Sequence, residues 1–261
     1  MKIGAMNNPA KNILEEIDWI GENGFDFVDL TYEPPSSGNF NVSEIKEHLK
    51  HYNLKIVGHT NPTLPAIYPI RKIREACLDE LKKSADFLSI LGAEKISIHP
   101  FYLRGHQDER VTYERNIDVL NQISEYCQNI GIQPMFENYI TPFASPQAFL
   151  EIKKRVKGIK IHLDVGHCNL AGRSDKVTEE FFKKFKEDII HLHMHDNKGF
   201  KDEHLPLGCG TIDWIKIIEI LKRSGYDGTI TLEVFSPDKE YLSISREKLL
   251  KLWKSTKVSG K

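Results

Sequence analysis

Nine side chains able to hold a divalent cation recur at one kind of position in this sequence: His59, His99, Glu137, Asp164, His167, His193, Asp202, His204 and Glu233. Each lies at, or shortly after, the end of a short apolar run. A fold that gathers those ends would bring five imidazoles and four carboxylates into one small volume. Packed charge of that kind is costly unless something neutralises it. Divalent cations do so, and this mix of donors suits zinc or manganese, with magnesium or cobalt as alternatives. A mononuclear site uses about four protein ligands, so the set implies two or three ions per chain.

Two kinds of segment alternate along the chain and must position these residues. Short apolar runs at 2–6, 27–30, 55–58, 95–99, 133–137, 160–164, 189–195 and 229–234 read as strands. Between them lie stretches of helical spacing, such as Leu78, Leu81, Ala85 and Leu88. Trp214, Ile217, Ile218 and Leu221 form another, behind Asp213 as N-cap and ahead of Gly225 as stop. Gly24, Gly92, Gly131 and Gly225 stand where left-handed helix caps are expected. Eight strands alternating with helices predict an α/β fold, a single (β/α)8 TIM barrel over residues 1–261, with no linker to divide it. The doubly wound open sheet is the competing architecture, but its Gly-rich first turn is absent. Active sites of such barrels lie at the carboxyl ends of the strands, and all nine residues fall at that end. Parity agrees: in Ile161-His162-Leu163-Asp164 the polar pair shares one face and the aliphatic pair the other.

Glu137 and Glu233, on the predicted fifth and eighth strands, are the expected acid/base pair. Carboxylates that hold a cation can keep a lone pair for proton transfer, which suits deprotonation and reprotonation at adjacent carbons of a sugar. Asp164 and His167 stand three residues apart at a strand-to-loop turn. In His191-Leu-His193-Met-His195, period two points three imidazoles the same way, and His193 is at the height that reaches a central metal. His191 lower down and His195 beyond the rim are expected as supporting or core residues. Asp202-Glu-His204 adds two loop ligands, with His59 and His99 completing the set. The stretch Gly208-Cys209-Gly210-Thr211 precedes a helix and is read first as a tight turn, second as a phosphate cradle. His48, His51 and His106 read as surface residues, and Cys168 beside His167 as an incidental small residue.

Composition narrows the class. The chain is 40% hydrophobic and 28% charged, with a formal net charge of -1, so no overall basic field marks a nucleic-acid binder. Four separated cysteines without a C-x-x-C pair read as reduced thiols. No signal peptide or membrane-length apolar run is evident, so a cytoplasmic protein without membrane contact is expected.

The motifs His59-Thr, Ile98-His99-Pro100, Phe136-Glu137-Asn138, Leu163-Asp164-Val-Gly-His167, His193-Met-His-Asp-Asn-Lys198, Asp202-Glu-His204 and Leu232-Glu233 together resemble the xylose isomerase-like TIM-barrel superfamily over essentially the whole chain. That superfamily includes sugar isomerases, ketose 3-epimerases and the endonuclease IV group. Resemblance to the epimerases implies one metal held by Glu137, Asp164, His193 and Glu233, the two glutamates as acid and base, and His167 as a substrate contact. Two epimerase features are absent: Phe143 stands where a further acid is expected, and the Asp202–His204 loop where an arginine binds substrate. Resemblance to endonuclease IV implies three zinc ions on all nine positions and cleavage at abasic sites in DNA. Against this, the stretch 61–70 offers Tyr68 but no basic residue before Arg71 for gripping a duplex. Metal-dependent isomerisation or epimerisation of a small sugar or sugar phosphate is the leading expectation and abasic-site cleavage the alternative. Dimerisation through helices is left open.

Overall fold

The computed structural model of the chain describes residues 1–33, 41–103 and 108–257. Eight strands form a closed barrel in chain order, β1 (Lys2–Met6), β2 (Phe27–Tyr32), β3 (Lys55–Thr60), β4 (Lys95–Ile98), β5 (Gln133–Glu137), β6 (Lys160–Asp164), β7 (Ile189–Met194) and β8 (Thr229–Leu232). The registered neighbours pair in parallel, so the fold is the expected (β/α)8 barrel. Its helices are α1 (Ile13–Glu22), α2 (Val42–His51), α3 (Arg71–Ile90), α4 (Glu109–Asn129), α5 (Pro146–Arg155), α6 (Val165–Leu170), α7 (Ser174–Phe185), α8 (Trp214–Ser224) and α9 (Glu240–Ser255). No helix among the described residues is long and apolar enough to cross a membrane.

Local chemistry explains the boundaries. Asn12, Asn41, Asp108 and Asp213 accept first-turn amides as N-caps of α1, α2, α4 and α8. Gly24, Gly92, Gly131 and Gly225 all have positive φ, the conformation that ends each helix before the next strand. Strands β2 and β3 run two residues past expectation because Thr31 and Tyr32 pair with His59 and Thr60. Strands β4, β7 and β8 stop short of theirs, leaving His99, His195 and Glu233 just beyond the regular ladder. The short α6 was not anticipated. It begins because Asp164, the last residue of β6, also caps it by accepting from the His167 amide at 2.7 Å.

Contacts divide the chain into two compact units, each contributing strands to the barrel. One comprises residues 6–137 and 147–160, the other residues 1–5, 138–146 and 161–261. In the first, Val28, Leu30, Val57, Leu81, Leu88, Ile96, Leu120 and Phe136 are buried between strands and helices. In the second, Leu163, Leu192, Met194, Trp214, Ile217, Leu221, Ile230 and Leu232 do the same. Within the second, the β6–β7 ladder carries a register shift between Ile161 and His162, after which Asp164 stands directly beside His193. That irregularity sets two candidate ligands side by side.

Helix α3 lies close against β3 because Gly58 has no side chain. A Cβ there would come within 2.8 Å of Leu88 Cδ1 and 3.3 Å of the Lys95 carbonyl. Gly58→Val is expected to cost about 1–3 kcal/mol through overpacking, lowering the calorimetric Tm by several degrees. An unchanged Tm would contradict this close approach.

Candidate metal centre

The nine residues separate into two sets. The first belongs to the unit containing β2–β5. Glu137 ends β5 wholly buried, His59 lies near the end of β3 and His99 follows β4. His99 Nε2 is 3.1 Å from Glu137 Oε2 and His59 Nε2 is 3.8 Å from it, while the two imidazole nitrogens are 3.0 Å apart. Donor atoms about 2.1 Å from a tetrahedral ion stand about 3.4 Å from one another. Two imidazoles converging on a buried carboxylate at such separations fit a divalent cation.

The second set belongs to the unit containing β6–β8. Asp164, His193 and Glu233 offer ligand atoms within 4.8 Å of one another. His193 Nδ1 lies 3.1 Å from Glu233 Oε2 and 3.9 Å from Asp164 Oδ2. Burial alone would raise the Glu233 pKa, but His204 and His193 more than offset it and hold the carboxyl well below its usual range. Burial likewise acts on Asp164 and is outweighed by His167 and His195, so it too stays ionised.

Asp202 draws two further imidazoles together. His167 Nε2 is 3.1 Å and His204 Nε2 3.2 Å from its Oδ2. Each ring is oriented from behind by a backbone carbonyl, His167 Nδ1 on Asn138 at 2.8 Å and His204 Nδ1 on Glu233 at 3.2 Å. With Nδ1 donating, Nε2 faces a carboxylate either as the second N–H of an imidazolium or as a lone pair that requires a cation between. In the metal-free state the first holds for His204. Burial opposes the charge of His204, yet Glu233 and Asp202 push its pKa up to about 11. Burial also opposes the Asp202 charge, but hydrogen bonds from His167 and His204 keep that carboxyl far below its ordinary value.

The loop carrying Asp202 and His204 is held by a residue to which the sequence reading gave no role. Buried Asp196 accepts from the amides of Asn197 at 3.0 Å, Gly208 at 2.7 Å and Ile212 at 3.3 Å, and from Trp214 Nε1 at 2.9 Å. Asp196 and Leu205 exchange backbone hydrogen bonds at 2.8 Å. His204 adopts φ 47°, rare for a residue with a side chain. Its carbonyl accepts from Phe235 N at 3.1 Å, and its ring lies between His195 and Phe235 with centroids 4.1 and 4.4 Å away. Asn138 clamps Asp164 through its amide nitrogen and oxygen, at 3.0 and 2.7 Å.

Several expectations are refined. His191 is a core residue as expected, its Nδ1 2.7 Å from Thr229 Oγ1. His195 does not lie beyond the rim: it is wholly buried, with Nε2 3.3 Å from Asp164 Oδ2. The 208–211 stretch is a tight turn and not a phosphate cradle. The amides of Gly208, Cys209 and Thr211 already donate to Asp196, Pro206 and Asn197. Phe143 is a buried turn residue. Cys168 is buried, which pushes its thiol pKa up and leaves it inert. His51 is exposed, His48 pairs with Asp18, and His106 lies outside the described residues. Asn138 and Asp196 were legible only as motif neighbours, since nothing in their spacing marks a clamp.

A family model described as xylose isomerase-like TIM barrel matches residues 17–252. An uncharacterised protein of Methanocaldococcus jannaschii is 30% identical over 92% of this chain and 88% of its own. An inosose isomerase of Halalkalibacterium halodurans is 23% identical over 95% and 90%. Among solved structures, a D-tagatose 3-epimerase-like protein superposes with a TM-score of 0.87 at 27% identity, covering 97% of each chain.

Two outcomes follow from the geometry. Asp196→Ala leaves three buried donors and the Gly208 amide without their acceptor and is expected to cost about 3–5 kcal/mol in urea unfolding, with faster proteolysis at Lys198 and Lys201. A loss below about 1 kcal/mol would remove its anchoring role. The second concerns pH in metal-free protein. Asp202 and Glu233 have lowered pKa values, so their stabilisation is present above about pH 4.5 and lost in acid; His204 is raised to about 11, so its share is complete below about pH 6.5 and fades as pH rises. His204→Gln should therefore destabilise most between about pH 5 and 6.5. A cost independent of pH would contradict the ion-pair assignment.

Proposed function

The chain belongs to the xylose isomerase-like TIM-barrel family, and from that premise we propose that it is a divalent-metal-dependent isomerase or epimerase of a sugar or sugar phosphate. One observation carries the reading: Glu137 and Glu233, at the carboxyl ends of β5 and β8, are both buried and each is surrounded by imidazoles. A buried carboxylate that stays unprotonated is available to accept a carbon-bound proton without competition from bulk water. The names of an inosose isomerase and a D-tagatose 3-epimerase-like protein among the similar chains support the substrate class.

The metal ligands of this reading are His59, His99, Glu137, Asp164, His167, His193, Asp202, His204 and Glu233, holding two or three ions of zinc or manganese. Bound metal supplies Lewis acidity to the carbonyl and neighbouring hydroxyl oxygens of the sugar. The protein's own residues do the rest. Glu233 and Glu137 serve as the acid/base pair, one removing the proton beside the carbonyl and the other returning one. His193 positions Glu233 Oε2 through its 3.1 Å contact. His167, its ring fixed by Asn138, presents Nε2 as a donor to substrate or ligand to metal. The stacked His204 and Phe235 offer an aromatic face beside Glu233.

The cluster of His167 and His204 on Asp202 is the observation that favours the second reading, hydrolysis at abasic sites by clustered zinc. One experiment separates the two. Manganese- or zinc-loaded protein is incubated with ketohexoses, their phosphates and inososes in deuterated water, alongside a duplex carrying one abasic site. Deuterium entering the carbon beside the carbonyl, abolished by chelation, is the expected result. Glu233→Gln and Glu137→Gln should each lower exchange about 10³-fold or more while the chain remains folded. Incision of the duplex without sugar exchange would transfer the assignment to the nuclease.

A further inference from the structure

We propose that His195 is a metal ligand, and that its Nε2 forms a cation position with Asp164 Oδ2, with His167 and Asp202 as further donors. The proposal rests on the reading that these strand ends hold divalent ions, and adds to it a residue that the ligand set above does not contain.

Three observations converge on that nitrogen. His195 Nε2, Asp164 Oδ2 and Asp202 Oδ1 are all buried without a hydrogen-bond partner among the described residues. The His195 nitrogen stands 3.3 Å from the Asp164 oxygen and 3.5 Å from the Asp202 oxygen. Those separations match the roughly 3.4 Å between neighbouring donors around a tetrahedral ion and exceed a good hydrogen bond. Ligand atoms of Asp164, His167 and His195 lie within 4.8 Å of one another, and those of His195, His204 and Glu233 do likewise.

The surroundings make room for this ring and aim it. Its centroid is 5.7 Å from His167 and 4.1 Å from His204. Nδ1 faces the Asp196 carbonyl at 3.5 Å, an orientation that leaves Nε2 toward the two carboxylates. Gly166 supplies the space: a Cβ there would overlap the His195 Cε1 and Nε2 atoms. Gly166 has no left-handed backbone to explain it, so its lack of a side chain is explained by the ring it admits. Glycine in the Asp164-Val-Gly-His167 turn and histidine after β7 thus form a matched pair.

The test is metal stoichiometry, measured without substrate. Wild type, His195→Ala, His195→Asn and Gly166→Ala are stripped by chelation and reloaded with zinc. After dialysis, metal per chain is measured by plasma emission, with unfolding curves confirming the fold. His51→Ala, a change at an exposed residue, serves as control. The expected result is loss of about one equivalent, or at least about tenfold weaker binding of one ion, in all three site variants. Cobalt-loaded protein should show a changed visible absorption in the same three and not in the control. Equal stoichiometry and an unaltered cobalt spectrum in folded His195→Ala and His195→Asn would overturn the proposal while leaving the metal centre standing. Failure of wild type to retain any metal would overturn both.

Discussion

A carboxylate taken wholly out of water costs several kcal/mol unless partners replace its hydration, and Asp164 is buried in that way. How that charge is satisfied organises the surrounding unit. One oxygen caps α6 through the His167 amide. The residue's backbone is clamped by Asn138 on both its amide and its carbonyl. The other oxygen has no hydrogen-bond donor and faces the imidazoles of His195, His167 and His193 at 3.3, 3.6 and 3.9 Å. Strand end, helix start and charged centre are therefore one residue, and displacing it would disturb all three.

The imidazoles around it are ordered by what lies behind them. Backbone carbonyls of Asn138 and Glu233 take the Nδ1 protons of His167 and His204 and aim both Nε2 atoms at Asp202. The loop that brings Asp202 there is tied down by Asp196, whose charge is met by four hydrogen-bond donors and needs no cation. The contrast between the two buried aspartates is informative. Asp196 has the environment of a structural anion; Asp164 and Asp202 each keep an oxygen without a donor. The left-handed backbone of His204 belongs with the same division, because conformational strain is tolerated where surrounding bonds over-determine it.

Much of this was legible in the sequence, for reasons that also mark where it stopped. Strand ends were readable because aliphatic runs give way to polar residues at fixed parity, and the barrel follows from counting them. Glu137, Asp164, His193 and Glu233 sit within one residue of a strand terminus. Asp196 was hidden because an anion that anchors a loop has the same one-letter appearance as one that binds a ligand. His195 was misplaced because period two projected it past the rim, whereas β7 ends at Met194 and the next residues, His195, Asp196 and Asn197, are buried. Its partner Gly166 lies 29 positions earlier, and only the fold shows that the glycine makes space for that ring. The short α6 escaped notice because six residues carry too little periodicity to announce a helix.

Charge arithmetic bears on how many ions such a centre can use. Around β6–β8 the carboxylates are Asp164, Asp202 and Glu233, and the imidazoles His167, His193, His195 and His204. Without metal, a protonated His204 offsets part of the carboxylate charge, as its raised pKa and the lowered ones of its partners require. Ligation removes such a proton, because a nitrogen cannot bind a proton and a cation with one lone pair. Neutral imidazoles leave a net charge of about −3, which one divalent ion reduces to about −1 and two convert to about +1. Only the second state offers a positive field to the oxygen that gains negative charge when a proton leaves carbon. On the proposed reading, a second ion beside His195 is what turns a pocket that repels an anionic sugar oxygen into one that attracts it.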